Sequence, residues 1–360
     1  MVLVRPLYVS RTCAVLLACG VCVSAQAATQ TSTQPKTQAE STTAVQSVSA
    51  KKTPSKRAYS ATASQARKSR LARARAAART REQARLKSLQ QLQIAMTPRF
   101  KTDASGEVVP DVRAAAAIIF NPENGQVLYQ ENAQDKRSIA SITKVMTTLV
   151  FMEDNPDLSQ EVTVERGDTY AASTTYLRAN ERITLDNLLH LTLIASDNAA
   201  ARALARLSHG GTAAFVERMN EKALELGLEN TSFADPSGLN PDNVSSAYDL
   251  SRLISFAAAD ERLAPVMRTA EYHVSTSRRE FNIHSTNRLL LGGDVDVMGG
   301  KTGFISKAGY CLATLLRLPQ GNQVAVVVLG ATSNNGRFWE TRHLFNWLSQ
   351  KASEMIKQQQ

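Results

Sequence analysis

Apolar, strand-like runs stand at both ends of the C-terminal two thirds of this 360-residue chain, with a block of helical spacing between them. Residues 114–121 and 126–130 flank Pro122-Glu123-Asn124-Gly125, whose glycine supplies the positive φ that a tight hairpin needs. Residues 295–298, 311–317 and 323–329 form the late group, the last two joined by the turn Pro319-Gln320-Gly321-Asn322. Between the groups, apolar spacing predicts helices from near Ser141 to about Glu153 and over 185–194, 197–207, 212–226 and 247–259. A closing helix over about 335–357 carries Trp339 and Trp347, which are expected to pack on the sheet. Strands, helices, strands and a last helix predict an α+β domain: one antiparallel sheet drawing strands from both ends of the chain, flanked by helices, with a helical lobe beside it.

The N-terminal third reads differently. Residues 1–27 carry Arg5 and Arg11, an apolar run over 13–23 and the small-residue site Ala25-Gln26-Ala27, the pattern of a cleaved secretory signal. The run is too short to cross a bilayer. Export from the cytoplasm is therefore expected, with the periplasm as destination. Residues 28–50 are rich in Thr, Ser, Gln and Ala and are expected to be a disordered tether, continued by a basic Ala-Arg-rich stretch to residue 98. Within it, 64–94 has strong helix formers but almost no apolar stripe before Leu86, which predicts a solvated helix.

Charge follows the same division. Residues 51–87 hold 13 Lys/Arg against one acid, Glu82, while 88–360 hold 26 Lys/Arg and 30 Asp/Glu. The overall net charge of +10 thus belongs to one segment, read first as a charged spacer and alternatively as a segment attracted to a cell wall, anionic membrane or partner. Export argues against a nucleic-acid partner. Three of the four cysteines, Cys13, Cys19 and Cys22, fall in the expected signal, leaving Cys311 on an apolar strand and no internal disulfide. The five histidines show no metal-ligand spacing and no phosphate loop is present, so neither metal nor cofactor is implied.

Three short patterns carry chemistry. Ser141-Ile142-Thr143-Lys144 puts a hydroxyl and an amine three residues apart, neighbours on one helical face, where a neutral Lys takes the Ser proton. The same pattern at Ser49 to Lys52 lies in the tether and shows that it is uninformative alone. Ser196-Asp197-Asn198 falls at a helix junction, where Ser and Asp also serve as N-caps. Ser285-Thr286-Asn287 and Ser333-Asn334-Asn335 match it equally. Lys301-Thr302-Gly303 follows an apolar strand and precedes Phe304, so an edge strand there could pair with an extended peptide while its cation and hydroxyl bind a carboxylate.

Order and spacing separate these patterns from chance: Ser196 lies 55 residues after Ser141, and Lys301 lies 105 after Ser196. The triple resembles the serine penicillin-recognising enzymes. Phe233-Ala234-Asp235-Pro236-Ser237-Gly238-Leu239, Ser246-Ala247-Tyr248-Asp249-Leu250 and Ala308-Gly309-Tyr310-Cys311-Leu312 look like the low-molecular-mass D-alanyl-D-alanine peptidases, over about 105–345. That resemblance implies a penicillin-binding-type catalytic domain over 99–360 with its site between sheet and helical lobe. It implies that Ser141 attacks the D-Ala carbonyl, Lys144 is the base and Ser196 passes a proton to the leaving amine. Asn198, Lys301, Thr302, Gly303 and Phe304 would bind peptidoglycan stem peptides, Lys301 and Thr302 also lowering the pKa of Lys144. The backbone N–H groups of Ser141 and Phe304 would form the oxyanion hole. β-Lactams would be covalent inhibitors.

Between Asn198 and Lys301 there is no Glu-x-x-Leu-Asn pattern of the kind a class A β-lactamase uses for deacylation, and Glu181 precedes Ser196. Slow release of penicillin is therefore expected. Carboxypeptidase members carry a second, all-β domain after the catalytic one, whereas 57 residues follow Gly303 here. The expectation is the shorter endopeptidase branch, of the penicillin-binding protein 7 type, cleaving the D-Ala to diaminopimelate cross-link. A carboxypeptidase is the alternative, and a wall-binding scaffold a more distant one.

Overall fold

A computed structural model describes residues 56–358; the expected signal, the tether before Lys56 and the Ser49 pattern lie outside the described residues. The chain divides into two compact units, Met1–Ala74 and Arg75–Gln360. Helix α1, Lys56–Met96, begins earlier than the predicted 64 and has eleven Lys/Arg and one Glu over its 41 residues. From Ala61 to Met96 every side chain except Ala95 is exposed, as follows from a sequence without an apolar face. In the second unit, Arg113 donates to the carbonyls of Ile94 and Ala95, satisfying acceptors that a helix C-terminus leaves open.

Five antiparallel strands make the main sheet. In chain order they are β1 (Ala116–Phe120), β2 (Val127–Glu131), β3 (Asp296–Ile305), β4 (Gly309–Arg317) and β5 (Gln323–Ala331). Their spatial order is β3-β4-β5-β1-β2, so early and late strands join where β5 pairs with β1, Val327 opposite Ile118. The hairpin between β1 and β2 turns at Gly125 with φ 75°, as the Asn-Gly pair requires. Alternation along the strands divides the core in two. Ile118, Ala313, Leu315 and Val327 face a helical cluster, whereas Ile119, Leu312, Leu316 and Val326 face the terminal helix.

The helical lobe comprises α2 (Lys144–Glu153), α3 (Leu185–Leu193), α4 (Asn198–Leu207), α5 (Gly211–Glu225) and α6 (Ala247–Ala259). The terminal helix α7, Asn334–Gln358, covers the other sheet face through Phe338, Leu344, Phe345 and Leu348. Trp347 also packs there, its ring 6.0 Å from that of Tyr129, while Trp339 is half-buried.

Besides the start of α1, two predicted boundaries move at the site. Ser141 stands in a 3-10 turn, Ala140–Thr143, ahead of α2, rather than in the first turn of an α-helix. The late strand does not stop at Met298 but runs through Lys301-Thr302-Gly303 to Ile305. One cause accounts for both shifts: β3 lies against the Ser141 turn, and a Cβ at Gly303 would come 2.5 Å from the carbonyl oxygen of Ile139. Only glycine lets strand and turn approach this closely. Among the described residues no helix is long and apolar enough to cross a membrane.

Candidate active site

Three elements converge on one cleft of about 550 Å3: the Ser141 turn, the α3 to α4 junction and the edge strand β3. Ser141, Ser196, Asn198, Thr302, Gly303 and Phe304 all line it. Lys144 and Lys301 are buried beneath, 0% and 1% exposed. Of the three Ser-x-Asn matches, the one selected by spacing is therefore the one that faces Ser141. Its neighbours have other uses. Asp197, not Ser196, caps α4 by accepting from Ala200 N–H, and Ser333 accepts from Gly336 N–H at the start of α7.

The surroundings of Lys144 decide its chemistry. Its Nζ lies 2.5 Å from the Ser237 carbonyl, 2.6 Å from Asn198 Oδ1 and 3.1 Å from Ser141 Oγ. The orientation of the Asn198 amide is fixed because its nitrogen donates to Ala172 O at 2.7 Å. Two of the three partners are carbonyl oxygens that can only accept, so both must receive N–H donors. A neutral amine has two N–H groups and one lone pair, which leaves the lone pair for the Ser141 hydroxyl. Burial first of all pushes the Lys144 pKa down to about 7, with the Arg202 charge acting the same way and Asp197 and Asp235 opposing. Near neutral pH the ammonium and the free amine thus both exist, as a general base requires.

Lys301 is held differently. It donates to Ser196 Oγ at 2.7 Å and to Thr302 O at 3.1 Å. Burial, followed by the charges of Lys144 and Arg337, holds its pKa well below that of an ordinary lysine. The cleft thus contains two hydroxyl-amine pairs, Ser141 with Lys144 and Ser196 with Lys301. Each serine is set by a strained backbone: Ser196 itself has φ 59°, and Ala140, before Ser141, has φ 50°. Such conformations persist only where packing enforces them. For Ala140 the enforcement comes from Gly238, at φ 81°, where a Cβ would lie inside the contact distance of the Ala140 carbonyl.

Several site groups were invisible to motif reading. The Ser237 carbonyl belongs to the 233–239 stretch, which the sequence marks as family-like without a role. Asp235 builds that loop by accepting from the N–H groups of Ser237, Gly238 and Asn240 and from the side chains of Ser237 and Asn243. Thr286, from a discarded Ser-x-Asn match, lines the cleft and accepts from Thr302 Oγ1 at 2.6 Å. Arg337 is 6% exposed on α7 and also lines the cleft. It donates to Gly303 O, Cys311 O and Asn334 Oδ1, and its Nε has no partner. Burial lowers its pKa to about 10, and among the described residues no carboxylate is hydrogen-bonded or paired to it. A buried cation of this kind beside a cleft suits an anionic group brought by a ligand.

A hydroxyl beside a buried amine of lowered pKa, a second amine-bound hydroxyl and a cationic rim are groups suited to acyl transfer. Residues 102–333 match the family model for peptidase S11, D-alanyl-D-alanine carboxypeptidase. The D-alanyl-D-alanine endopeptidase of Escherichia coli is 32% identical over 244 residues, covering 66% of this chain and 78% of the relative. The D-alanyl-D-alanine carboxypeptidase DacF of Bacillus subtilis is 35% identical over 233 residues, 62% of this chain and 59% of that protein. Among solved structures, the Streptomyces K15 DD-transpeptidase superposes with a TM-score of 0.62 at 30% identity, covering 66% of this chain and 97% of its own. The shared core, and not the basic helix α1, thus carries the kinship. The chain belongs to the peptidase S11 family and is a serine-type D-alanyl-D-alanine peptidase of α+β, penicillin-binding fold.

Proposed function

We propose that this enzyme is a peptidoglycan D,D-endopeptidase that cleaves the bond between D-Ala and the diaminopimelate of a neighbouring stem peptide. One observation carries the mechanism, the Lys144 amine held by two carbonyl acceptors with Ser141 Oγ at 3.1 Å. In this reading the Ser141 proton passes to Lys144 as Oγ attacks the D-Ala carbonyl. The backbone N–H groups of Ser141 and Phe304 receive the oxyanion. Ser196, hydrogen-bonded to Lys301, hands a proton to the departing amine. Asn198 and the edge of β3 hold the donor peptide, while Thr302 and Arg337 take the carboxylate on the leaving carbon. Water then resolves the ester.

An endopeptidase, a carboxypeptidase and a transpeptidase stand among the relatives, and all three reactions share the attack on a D-Ala carbonyl. They differ in the amine that leaves or enters. Diaminopimelate in a cross-link and a terminal D-Ala both offer a D-centre with a carboxylate, which explains how one cleft serves both. The endopeptidase reading is supported by the Escherichia coli relative, the one of these two curated relatives matched over more of its own length. Carboxypeptidase action is the alternative. The same reading includes a signal over 1–27, a tether over 28–98, a catalytic domain over 99–360, periplasmic location and trapping by penicillin. Attraction of the basic segment to wall or anionic membrane belongs to it as well.

A fluorescent penicillin is expected to label the wild type and not Ser141→Ala; labelling that survives the substitution would sink the acyl-enzyme. Purified enzyme should release monomers from cross-linked muropeptide dimers. Loss of terminal D-Ala from pentapeptides with dimers left intact would reverse the choice in favour of a carboxypeptidase.

A further inference from the structure

Directly after the Lys301-Thr302-Gly303 motif, Phe304 lines the cleft with 49% of its surface exposed. On the five-stranded sheet the other aromatics, Phe120, Tyr129 and Tyr310, are buried or half-buried, so the large apolar side chain of Phe304, left open at the mouth of a polar cleft, is placed to meet a ligand. The ring is not loose. It stacks on Tyr310, its register partner on β4, at 4.2 Å between centroids and 23° between planes. Tyr310 is backed in turn by the Arg337 guanidinium, 5.7 Å from its ring. Phe304 therefore presents a supported, flat apolar wall.

Its position gives the wall a direction. Phe304 and Thr302 are two residues apart on β3, so their side chains leave the same face of the strand. Arg337 lies behind that face, and Thr302 and Arg337 are the groups that the proposed function assigns to the carboxylate of the leaving residue. Phe304, Thr302 and Arg337 line one cleft, so a side chain on that same carbon that follows the strand from Thr302 meets the Phe304 ring. Terminal D-Ala brings only a methyl group there. A cross-linked diamino diacid brings an aliphatic chain long enough to lie across the ring.

We infer that the Phe304 ring, stacked on Tyr310, is a specificity-determining wall that selects leaving residues with a long aliphatic side chain over D-Ala. The inference rests on the endopeptidase reading and is tested apart from it. Synthetic donors ending in D-Ala-D-Xaa, with Xaa running from D-alanine through D-2-aminobutyrate and D-norvaline to D-norleucine, extend the leaving side chain one methylene at a time. With the wild type, kcat/KM is expected to rise about tenfold over the series, the size of effect an apolar contact gives. Phe304→Ala is expected to flatten the series and to lower the ratio of dimer to pentapeptide cleavage. Phe304→Leu should fall between. Each ratio is taken within one preparation, so the folded fraction cancels. A wild-type series without a rise, or a rise that survives Phe304→Ala, overturns the wall. Wild-type enzyme that cleaves no dimer overturns the endopeptidase reading instead, whatever the series shows.

Discussion

Lysine and arginine occupy two regions of this protein under opposite conditions. In the cleft, Lys144 and Lys301 are buried, and burial is the first cause of the lowered pKa of each. Along α1, the described Lys and Arg side chains from Arg67 to Lys87 stand in water, and one ion pair is formed there, Arg85 with Glu82 at 3.9 Å. The two regions differ in solvent access and in side chain: burial disfavours the charged form of the cleft amines, whereas α1 carries mostly guanidinium groups, which stay charged whatever their surroundings. Buried, an amine keeps its charge only if partners compensate for lost water. Lys144 has two carbonyls and, among the described residues, no carboxylate in an ion pair with it, so burial outweighs the Asp197 and Asp235 charges and the neutral form gains. The exposed cations of α1, several of them three or four residues apart, repel one another.

The sharpest way to break this contrast is Lys144→Arg, which retains a cation and removes the base, since guanidinium does not deprotonate. Acylation by a fluorescent penicillin should fall by about 10³-fold, within the range that general-base catalysis supplies. A variant that reacts at the wild-type rate would show that Lys144 holds charge rather than accepting a proton. Next in size is the pH dependence. The Lys144 pKa is lowered to about 7, so the free amine predominates above that pH and the ammonium below it. The acylation rate constant should therefore drop about tenfold per pH unit on the acid side of neutrality and level off above it. A flat profile through pH 7 would refute the neutral base.

A smaller effect is expected where packing rather than charge is changed. At Gly303 an added methyl meets the Ile139 carbonyl at 2.5 Å, and backbone rather than a flexible side-chain end must yield. Gly303→Ala should cost about 1–3 kcal/mol in urea unfolding, as overpacking does. It should also slow acylation, because the atom displaced belongs to the residue two before Ser141. Normal unfolding together with normal acylation would show that the approach of β3 to the Ser141 turn is not tight.

How far the sequence foretold this site depends on the kind of information each residue carries. The sheet was legible because its strands are apolar runs with turn residues between them, and that one sheet draws on both ends of the chain followed from the helical block between the groups; that β5 pairs with β1 is seen only in the structure. Ser141, Ser196 and Lys301 were legible through order and spacing, though each triplet alone had a decoy or a plain structural reading. What stayed hidden was contributed by backbone. The Ser237 carbonyl that holds Lys144 has no residue signature, and any side chain could stand on it. The 3-10 turn at Ser141 comes from glycines 97 and 162 residues further along the chain, beyond any local pattern. Arg337 was hidden for another reason: on a helix with polar and apolar residues mixed, nothing distinguishes one buried arginine from exposed ones.

The weakest expected effect on catalysis belongs to α1, and it completes the contrast. Arg67, Arg70, Arg73, Arg75, Arg79 and Arg81 all lie on exposed helix surface, several of them three or four residues apart, where like charges disfavour the helix by a few tenths of a kcal/mol per pair. Replacing these six with Gln removes repulsion and touches no buried group. Thermal stability should stay within about 0.5 kcal/mol, as is usual for surface changes, and penicillin acylation should be unchanged. Sedimentation with purified sacculi should reveal the loss instead. Wild-type binding should weaken as salt rises toward the point where the Debye length is about 8 Å, and the Gln variant should bind weakly at every salt concentration. Without an apolar stripe α1 has no means of adhesion other than charge, so binding that resists both salt and neutralisation would have to come from the catalytic unit. Slowed acylation in the Gln variant would mean that the exposed cations influence the cleft after all, and the division between buried amines and exposed cations would fail.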